Sequence, residues 1–443
     1  MIFSPAAAYC IRALQAEGYC AYAVGGCVRD SLLGLTPSDY DLCTNATPEQ
    51  ISKVFAHRQL LHHGEKHGTV GVVVDGEVLE ITTFRTEGGY ADSRHPGWVS
   101  FVNTIEEDLA RRDFTVNAMA YAPSAGYVDP FGGREDLQKG ILRAVGDPRQ
   151  RFREDALRIL RGLRFASRFH LTIEPETKKA MDELAPLLNH IARERVFEEL
   201  CKLLLTVTQK ELSEFIPILI QVLPELSPMV GFDQHSPHHR YDVFTHTAYV
   251  VESVPGDLSL RWAALLHDVG KPASFTQDET GRGHFKGHAK VSKALADEIL
   301  LRLKAPTALR QQVTELIGLH MTPLEQDKKL LRRRLGKLGA ELLDKLLCLQ
   351  EADMGSKGTG KPEEAIQFSV IRHMLSEISE EEACLSIKDL AIDGNVLQQA
   401  GFAPGPKMGR CLNVLLELVL DEQLPNETEA LLRAAKNIWE ELP

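Results

Sequence analysis

The chain has no uninterrupted apolar run of about 18 residues, the length a membrane-spanning helix needs, and no stretch that reads as a secretory signal. It has no C-x-x-C pair. Its eight cysteines, at positions 10, 20, 27, 43, 201, 348, 384 and 411, are scattered. That argues against a disulfide framework or a cysteine-based zinc site and predicts buried thiols in a reducing cytoplasm. Positive charge is also short: 50 Lys and Arg stand against 62 Asp and Glu, for a net charge of −12. A nucleic-acid binder usually carries a basic footprint, so any RNA contact here must be confined to local patches. One run, Lys328 to Lys337, holds six basic residues and no acid, and reads equally well as a solvated helix face. What the chain does have is length and apolar content. Its 443 residues are 44% hydrophobic, enough for roughly two to four domains with real cores.

The most informative stretch runs from Tyr22 to Asp41. A short apolar run reaches Gly25-Gly26, helix-forming residues follow over Val28 to Leu33, and Gly34 ends that helix. Asp39-Tyr40-Asp41 then opens a second strand. Two glycines let the backbone pass close to a ligand at positive φ. A helix starting there aims free N–H groups at an anion, and Arg29 in its first turn adds a forked donor. On a strand Asp39 and Asp41 share a face, because side chains alternate. Two carboxylates beside a phosphate cradle are what a two-Mg²⁺ nucleotidyl-transfer site needs. The stretch resembles the head of the tRNA nucleotidyltransferase and bacterial poly(A) polymerase group, a class of polymerase-β-like enzymes with the signature GGxVRDxLLG followed by DxD.

Around this stretch, residues 5 to 18 and Pro48 to Phe55 read as helices, and Thr69 to Val74 with Val78 to Phe84 as a hairpin about Asp75-Gly76. Glu80 shares a strand face with Val78 and Thr82, as a third metal carboxylate or as a solvent-facing acid. Thr86 to Gly97 is polar and glycine-rich, hence a loop. In the resemblance it matches a flexible loop that members restricted to adding two cytidines lack or shorten, which implies that this chain also adds the terminal adenosine. Arg111 to Ala118 reads RRDFTVNA. Two arginines near a triphosphate offer charge-assisted hydrogen bonds, and Asp113 orients an arginine or accepts from sugar hydroxyls. The string is similar to the family's RRDFTxNA motif. That similarity implies that Arg112 contacts the nucleotide, with Asp113 and Asn117 beside it.

Phe152 to Phe169 reads as one amphipathic helix. At about 100° per residue, Asp155, Arg158, Arg161 and Arg164 form one ridge, and Ala156, Ile159, Leu160 and Leu163 form an apolar arc that packs. The ridge opens with an acid–arginine pair, Asp155 and Arg158. A carboxylate only accepts hydrogen bonds and a guanidinium only donates. Cytosine and adenine offer an exocyclic amino donor, where uracil and guanine place a carbonyl oxygen that a carboxylate repels. The pair should admit C and A and reject U and G. The family's EDxxR motif, here Glu154, Asp155 and Arg158, implies the same role: a protein template that selects CTP and then ATP. Glu194-Arg195 with Glu198 resembles a later family motif that steadies this helix.

From Phe232 the character changes. His246 sits in a helical run, Leu260 to Leu266 leads into His267-Asp268, and Asp353 lies far downstream, with His284, His288 and His320 between. A His-Asp pair with a distant His and Asp is a metal-ligand set. It resembles the HD phosphohydrolase superfamily. The resemblance implies a divalent metal such as Mn²⁺ or Ni²⁺, held by His246, His267, Asp268 and Asp353, and phosphatase or 2′,3′-cyclic phosphodiesterase chemistry. The other three histidines leave room for a second metal.

The expected fold class is α+β: a small mixed-sheet head followed by helical domains. The expected divisions are a nucleotidyltransferase head over 1–137, a helical neck over 138–229, an HD domain over 230–360 and a tRNA-binding body over 361–443, where residues 387 to 409 resemble the family's C-terminal body. By resemblance the chain is a cytoplasmic enzyme that adds CCA to the tRNA 3′ end from CTP and ATP with Mg²⁺. Two alternatives stay open: an A-adding enzyme or poly(A) polymerase, and an HD phosphohydrolase whose nucleotidyltransferase-like half only binds RNA. The intact DxD argues against the last.

Overall fold

The computed structural model describes residues 3–62, 64–88, 98–359, 362–380 and 384–442. The chain divides into two compact units, one of residues 1–224 with 302–304, the other of residues 225–301 and 305–443.

The first unit opens with helix α1 (Pro5–Ala16), where Ser4 caps the first turn by accepting from the Ala7 N–H at 3.1 Å and proline occupies the first helical position. Strand β1 (Ala21–Val24), helix α2 (Gly26–Leu32), strand β2 (Asp41–Thr44) and helix α3 (Pro48–Val54) follow. Then come β3 (Gln59–Leu61), β4 (Thr69–Val74), β5 (Glu77–Thr83), β6 (Arg85–Gly88), β7 (Trp98–Phe101), helix α4 (Ile105–Ala110), β8 (Ala120–Ala122) and β9 (Gly126–Val128). Seven of these strands form one mixed sheet in the order β3-β4-β5-β2-β1-β8-β9, parallel only between β2 and β5. Period-two alternation covers both faces. Ala23 and Leu42 join a core with Ile11 and Leu14 of α1 and Ile51 of α3, while their neighbours Val24 and Cys43 pack with Phe84 and with Ile105 and Leu109 of α4. The β6–β7 pair is a separate antiparallel ribbon. Residues 89–97, most of the expected loop, lie outside the described residues.

The rest of this unit is helical: α5 (Gly133–Lys139), α6 (Pro148–Glu154), α7 (Leu157–Phe169), α8 (Pro175–Leu184), α9 (Arg193–Leu204) and α10 (Gln209–Leu219). The expected single helix over 152–169 is therefore two. Asp155 is extended (φ −143°, ψ 102°), and its carboxylate accepts from the Leu157 N–H at 3.0 Å. A short acidic side chain competes for backbone N–H groups and favours a helix start over a helix interior. The helical wheel assumed a continuity that this residue breaks. Gly162 then lets α7 approach α8: a β-carbon there would lie 2.2 Å from the Met181 methyl and 2.9 Å from the Phe114 ring.

The second unit is mainly helical: α11 (Val243–Ser253), α12 (Leu258–Leu266), α13 (His288–Arg302), α14 (Thr307–Leu319), α15 (Lys328–Leu338), α16 (Ala340–Gly355), α17 (Pro362–Glu380) and three more towards the C-terminus. The basic run is α15, and it packs as much as it faces solvent. Leu331 and Arg332 are buried; Arg332 pairs with Glu422, Arg333 with Asp421 at 2.8 Å and Lys328 with Glu377 at 2.8 Å. The concentrated positive patch of this protein lies elsewhere. All eight cysteines are free, five of them buried.

Candidate functional site

Gly25 caps α2 at φ +73°, ψ −123°, a conformation a side chain resists, and a β-carbon there would stand 2.8 Å from Arg112 Nη1. The glycine turn and Arg112 are thus neighbours. Arg111 and Arg112 sit at the end of α4, fixed by Asp108 one turn back. Its fully buried carboxylate accepts from Arg111 Nε at 3.0 Å and from Arg112 Nη2 at 3.3 Å. Burial pushes the Asp108 carboxyl up, and the two guanidiniums outweigh it, so it stays below the ordinary value. Asp108 escaped the sequence reading, although its i, i+3 and i, i+4 spacing to the two arginines was visible. Arg112 Nε is buried with no hydrogen-bond partner, a donor left over beside the turn.

Asp41 begins β2, whereas Asp39 precedes the strand, so the expected shared strand face is not how they meet. Both carboxylates nonetheless line one cleft with Gly25, Gly26 and Arg112. Glu80 is the Cα partner of Asp41 across the β2–β5 ladder and so lies on its face, exposed. Desolvation by the surrounding cleft wall pushes the Asp41 carboxyl up although the residue is open to solvent; Arg112 opposes this, and Asp39 and Glu80 add to it. Asp41, pushed up beside two further carboxylates, is relieved by a divalent cation, so this donor set fits Mg²⁺.

Arg29 was expected as a phosphate donor. Its guanidinium is buried instead: it donates to Asp30 at 2.6 Å and to Asn117 Oδ1, and it lies 4.2 Å from the centre of the Phe169 ring. Asn117 in turn donates to Asp113 at 3.1 Å. Asp113 accepts from Arg161 at 2.8 Å, so of its two expected roles it takes the orienting one. Burial pushes the Asp113 carboxyl up, but Arg161 and Arg158 hold it at about 2. Arg161 and Arg164 flank the Phe165 ring at 5.2 Å and 4.2 Å. Arg29, Asn117, Asp113 and Arg161 therefore form one internal chain that stiffens the cleft wall.

The Asp155–Arg158 pair is not formed. Arg158 donates to Glu154 at 2.9 Å and to the Arg111 carbonyl at 3.0 Å, while Asp155 takes Arg195 of α9 at 2.8 Å. Arg164 does not stand on a solvated ridge: it is buried against Glu199, Nε to Oε2 2.6 Å. Glu199, rather than the exposed Glu198, is thus the α9 acid that holds α7. Asp155, Arg158, Arg161, Arg164 and Arg195 all line the same cleft, of about 480 Å³, with eight arginines and five aspartates in its walls. This is the local positive patch that a chain of net charge −12 requires.

In the second unit, His246 Nε2 lies 3.0 Å from Asp353 Oδ1 and 3.6 Å from Asp268 Oδ2, and His267 Nε2 lies 3.1 Å from Asp268 Oδ2. His288 Nε2 reaches Asp268 Oδ1 at 3.4 Å and His320 Nε2 at 3.3 Å. Each of the four rings turns Nδ1 to a backbone carbonyl: His246 to Ser356, His267 to Ala264, His288 to Phe285 and His320 to Ile317. A carbonyl fixes the proton on Nδ1 and leaves Nε2 a lone pair. Two such lone pairs 3.3 Å apart have nothing to share unless a cation lies between them. His267 Nε2 and Asp268 Oδ2 are both buried and lie 3.1 Å apart, and Lys271 Nζ stands 2.7 Å from the same Oδ2. The set fits a metal, with Asp268 common to both groups. His284 does not join it: its ring is half exposed and pairs with Asp278 at 2.7 Å.

Residues 21–143 match the poly(A) polymerase head-domain family, 170–210 the RNA- and SrmB-binding site of polymerase A, and 275–435 the tRNA nucleotidyltransferase domain 2 family. A CCA-adding enzyme of Latilactobacillus sakei is 36% identical over 96% of this chain and 95% of its own. One of Limosilactobacillus reuteri is 34% identical over 99% and 98%. Among solved structures, the CCA-adding enzyme of Bacillus stearothermophilus in complex with CTP superposes with a TM-score of 0.69 at 29% identity, over 98% of each chain. The chain belongs to the CCA-adding enzyme family of tRNA nucleotidyltransferases.

Proposed function

We propose that this protein completes tRNA by adding C, C and A to its 3′ end, taking CTP and then ATP with no nucleic-acid template. The observation that carries the reading is convergence. A glycine turn with the unpartnered Arg112 Nε, the acids Asp39 and Asp41, and the carboxylate of Asp155 all open onto one cleft. Gly25, Gly26 and Arg112 seat the triphosphate, and Arg158, Arg161 and Arg164 keep the base side of the cleft positive. Asp155 accepts the amino group of C or A and repels the carbonyl of U or G. Asp39 and Asp41, with Glu80 beside them, would hold Mg²⁺, which when bound activates the RNA 3′-hydroxyl and stabilises the departing pyrophosphate. The Bacillus stearothermophilus relative with CTP bound supports the nucleotide assignment. The test is to supply tRNA lacking its 3′ end with CTP and ATP and sequence the product. Completed CCA is expected; addition of A alone, or of an A tail, would overturn the proposal.

A second reading concerns the histidine cluster, and the four Nδ1–carbonyl locks favour it. His246, His267, Asp268 and Asp353, with His288 and His320, would hold one or two transition-metal ions of the Mn²⁺ or Ni²⁺ kind. Such ions supply a hydroxide nucleophile for phosphate-ester hydrolysis. Release of phosphate or opening of a 2′,3′-cyclic phosphate in Mn²⁺ or Ni²⁺ tests this directly.

A further inference from the structure

The histidine cluster borders a cavity of about 230 Å³ whose remaining lining includes Ser236, His239, Lys271, Phe285, Met321 and Lys357. We propose that His239 and Lys357 form the seat for the non-bridging oxygens of a phosphate ester bound there, an inference that rests on reading the cluster as a phosphohydrolase centre.

Two cations line the cavity, and only one has charge to offer. Lys271 is committed: its ammonium pairs with Asp268 at 2.7 Å and donates to Gln234 Oε1 at 2.8 Å. Lys357 lies four residues after Asp353, in the turn that follows the end of α16, and its side chain makes no ion pair or hydrogen bond among the described residues. His239 stands edge-on to His246 with ring centres 5.5 Å apart, and its Nδ1 is buried without a hydrogen-bond partner. A buried polar atom left unpaired costs stability, which is tolerable where a ligand supplies the missing partner.

The segment carrying His239 is held on both flanks. On one side the Gly283 N–H donates to the His235 carbonyl at 2.8 Å, and a β-carbon on Gly283 would lie 2.4 Å from the Gln234 carbonyl oxygen. On the other side the Arg240 N–H donates to the Lys357 carbonyl at 3.0 Å, and the Thr359 hydroxyl to the His238 carbonyl at 2.8 Å. Gly358, at φ +72°, again has no room for a β-carbon, which would meet the Tyr241 ring at 2.8 Å. Gln234, almost fully buried, bonds Lys271 and the Tyr241 carbonyl, tying the segment to the cluster. His239 and Lys357 are thus fixed to each other through backbone, as a binding pair must be to act on one anion. Phe285 and Met321 give the cavity apolar surface for the organic part of the ester, such as a nucleoside.

Calorimetric titration of the metal-stripped full chain with inorganic phosphate tests the seat. Two classes of site are expected: one lost in Arg112→Ala, belonging to the nucleotidyl cleft, and one lost in Lys357→Ala and weakened roughly tenfold in His239→Gln. With Mn²⁺ and bis(p-nitrophenyl) phosphate, Lys357→Ala should raise KM about tenfold and leave kcat nearly unchanged. Phosphate binding unaltered in both Lys357→Ala and His239→Gln overturns the proposal. If the wild type cleaves no ester with any metal, yet Lys357→Ala still removes a phosphate site, the phosphohydrolase reading fails and the anion seat stands.

Discussion

Asp155 is held by Arg195, forty residues away in sequence, with Nη2 2.8 Å from Oδ2, while Arg158, three residues on, turns to Glu154. The carboxylate lines the cleft, and a guanidinium from α9 donates to it. Arg195 does two things at once. It fixes the direction of the Asp155 carboxylate at the cleft wall, and it ties the break between α6 and α7 to α9.

Removing that carboxylate should change which base is used more than how fast the enzyme works on all of them. Asp155→Ala deletes the acceptor for the amino group of C and A and the repulsion against the carbonyl of U. A hydrogen bond to a charged group is worth roughly 1.5–3 kcal/mol, about one to two powers of ten in rate. CTP and ATP use should fall by that much and UTP use by less. Arg195→Ala keeps the carboxylate and loses its aim, so the CTP/UTP ratio should fall by a smaller factor. An Asp155→Ala enzyme whose CTP/UTP ratio equals that of the wild type would end the template assignment.

The parts of this site that were legible in the sequence are the ones whose partners are close in sequence. Gly25-Gly26 and RRDFTVNA carry their geometry within a few residues, while Asp39 and Asp41 were marked by residue type and spacing although the strand starts only at Asp41. The pairings that give the arginines of α7 their roles were not legible. Arg164 finds Glu199, Arg161 finds Asp113 and Asp155 finds Arg195, each across 35 to 48 residues. Such choices are made by how α7 and the break before it pack against α9 and against the segment that follows α4, which no helical wheel contains. The wheel also failed on its own terms at Asp155, where a side chain competing for backbone N–H groups outweighed the pattern. In the second unit, residue type marked His288 and His320 as well as His284. Only the fold distinguishes two rings that meet over Asp268 from one that faces Asp278.

The acids Asp39 and Asp41 should be separable from the fold. Both are exposed at the edge of the cleft and add little to the core. Asp39→Ala and Asp41→Ala should each lose nucleotide addition by three powers of ten or more, roughly 4 kcal/mol in the barrier, while the thermal midpoint stays within a few degrees. Single-turnover addition to tRNA in Mg²⁺ gives the rate. Near-wild-type incorporation by either variant would remove these residues from the catalytic role.

Asp113 should make stability depend on pH in the acid range. Its carboxyl, pushed up by burial but held at about 2 by Arg161 and Arg158, titrates below the ordinary value of 3.8. A depressed carboxyl stabilises fully above its unfolded pKa and loses that contribution as pH falls through its folded one. The window is therefore about pH 4 down to about 2, and the contribution above it is about 2 kcal/mol. Asp113→Asn should be less stable than the wild type at pH 7, with the gap closing below about pH 3. Urea unfolding across that range measures both limbs. A gap that stays constant down to pH 2 would mean that the pair contributes no proton linkage.

The histidine centre should be removable without touching nucleotide addition. Every residue of the nucleotidyl cleft belongs to the first unit, and His246, His267, Asp268, His288, His320 and Asp353 belong to the second. His267→Ala with Asp268→Ala deletes the shared carboxylate and one of the Nε2 donors locked by a backbone carbonyl. It should abolish binding of Mn²⁺ or Ni²⁺, because Asp268 is common to both groups of candidate ligands and His267 belongs to one of them. Addition of CCA should stay within about twofold of the wild type, because the cleft keeps its own core. The double variant also removes a buried acid and a buried imidazole together, which avoids stranding either one alone. Metal content after dialysis against each ion, set beside the single-turnover rate of nucleotide addition, gives both numbers from one preparation. A wild type that retains no metal and cleaves no cyclic phosphate would leave the four carbonyl-locked rings as packing. A double variant that loses nucleotide addition as well would show that the two centres depend on each other.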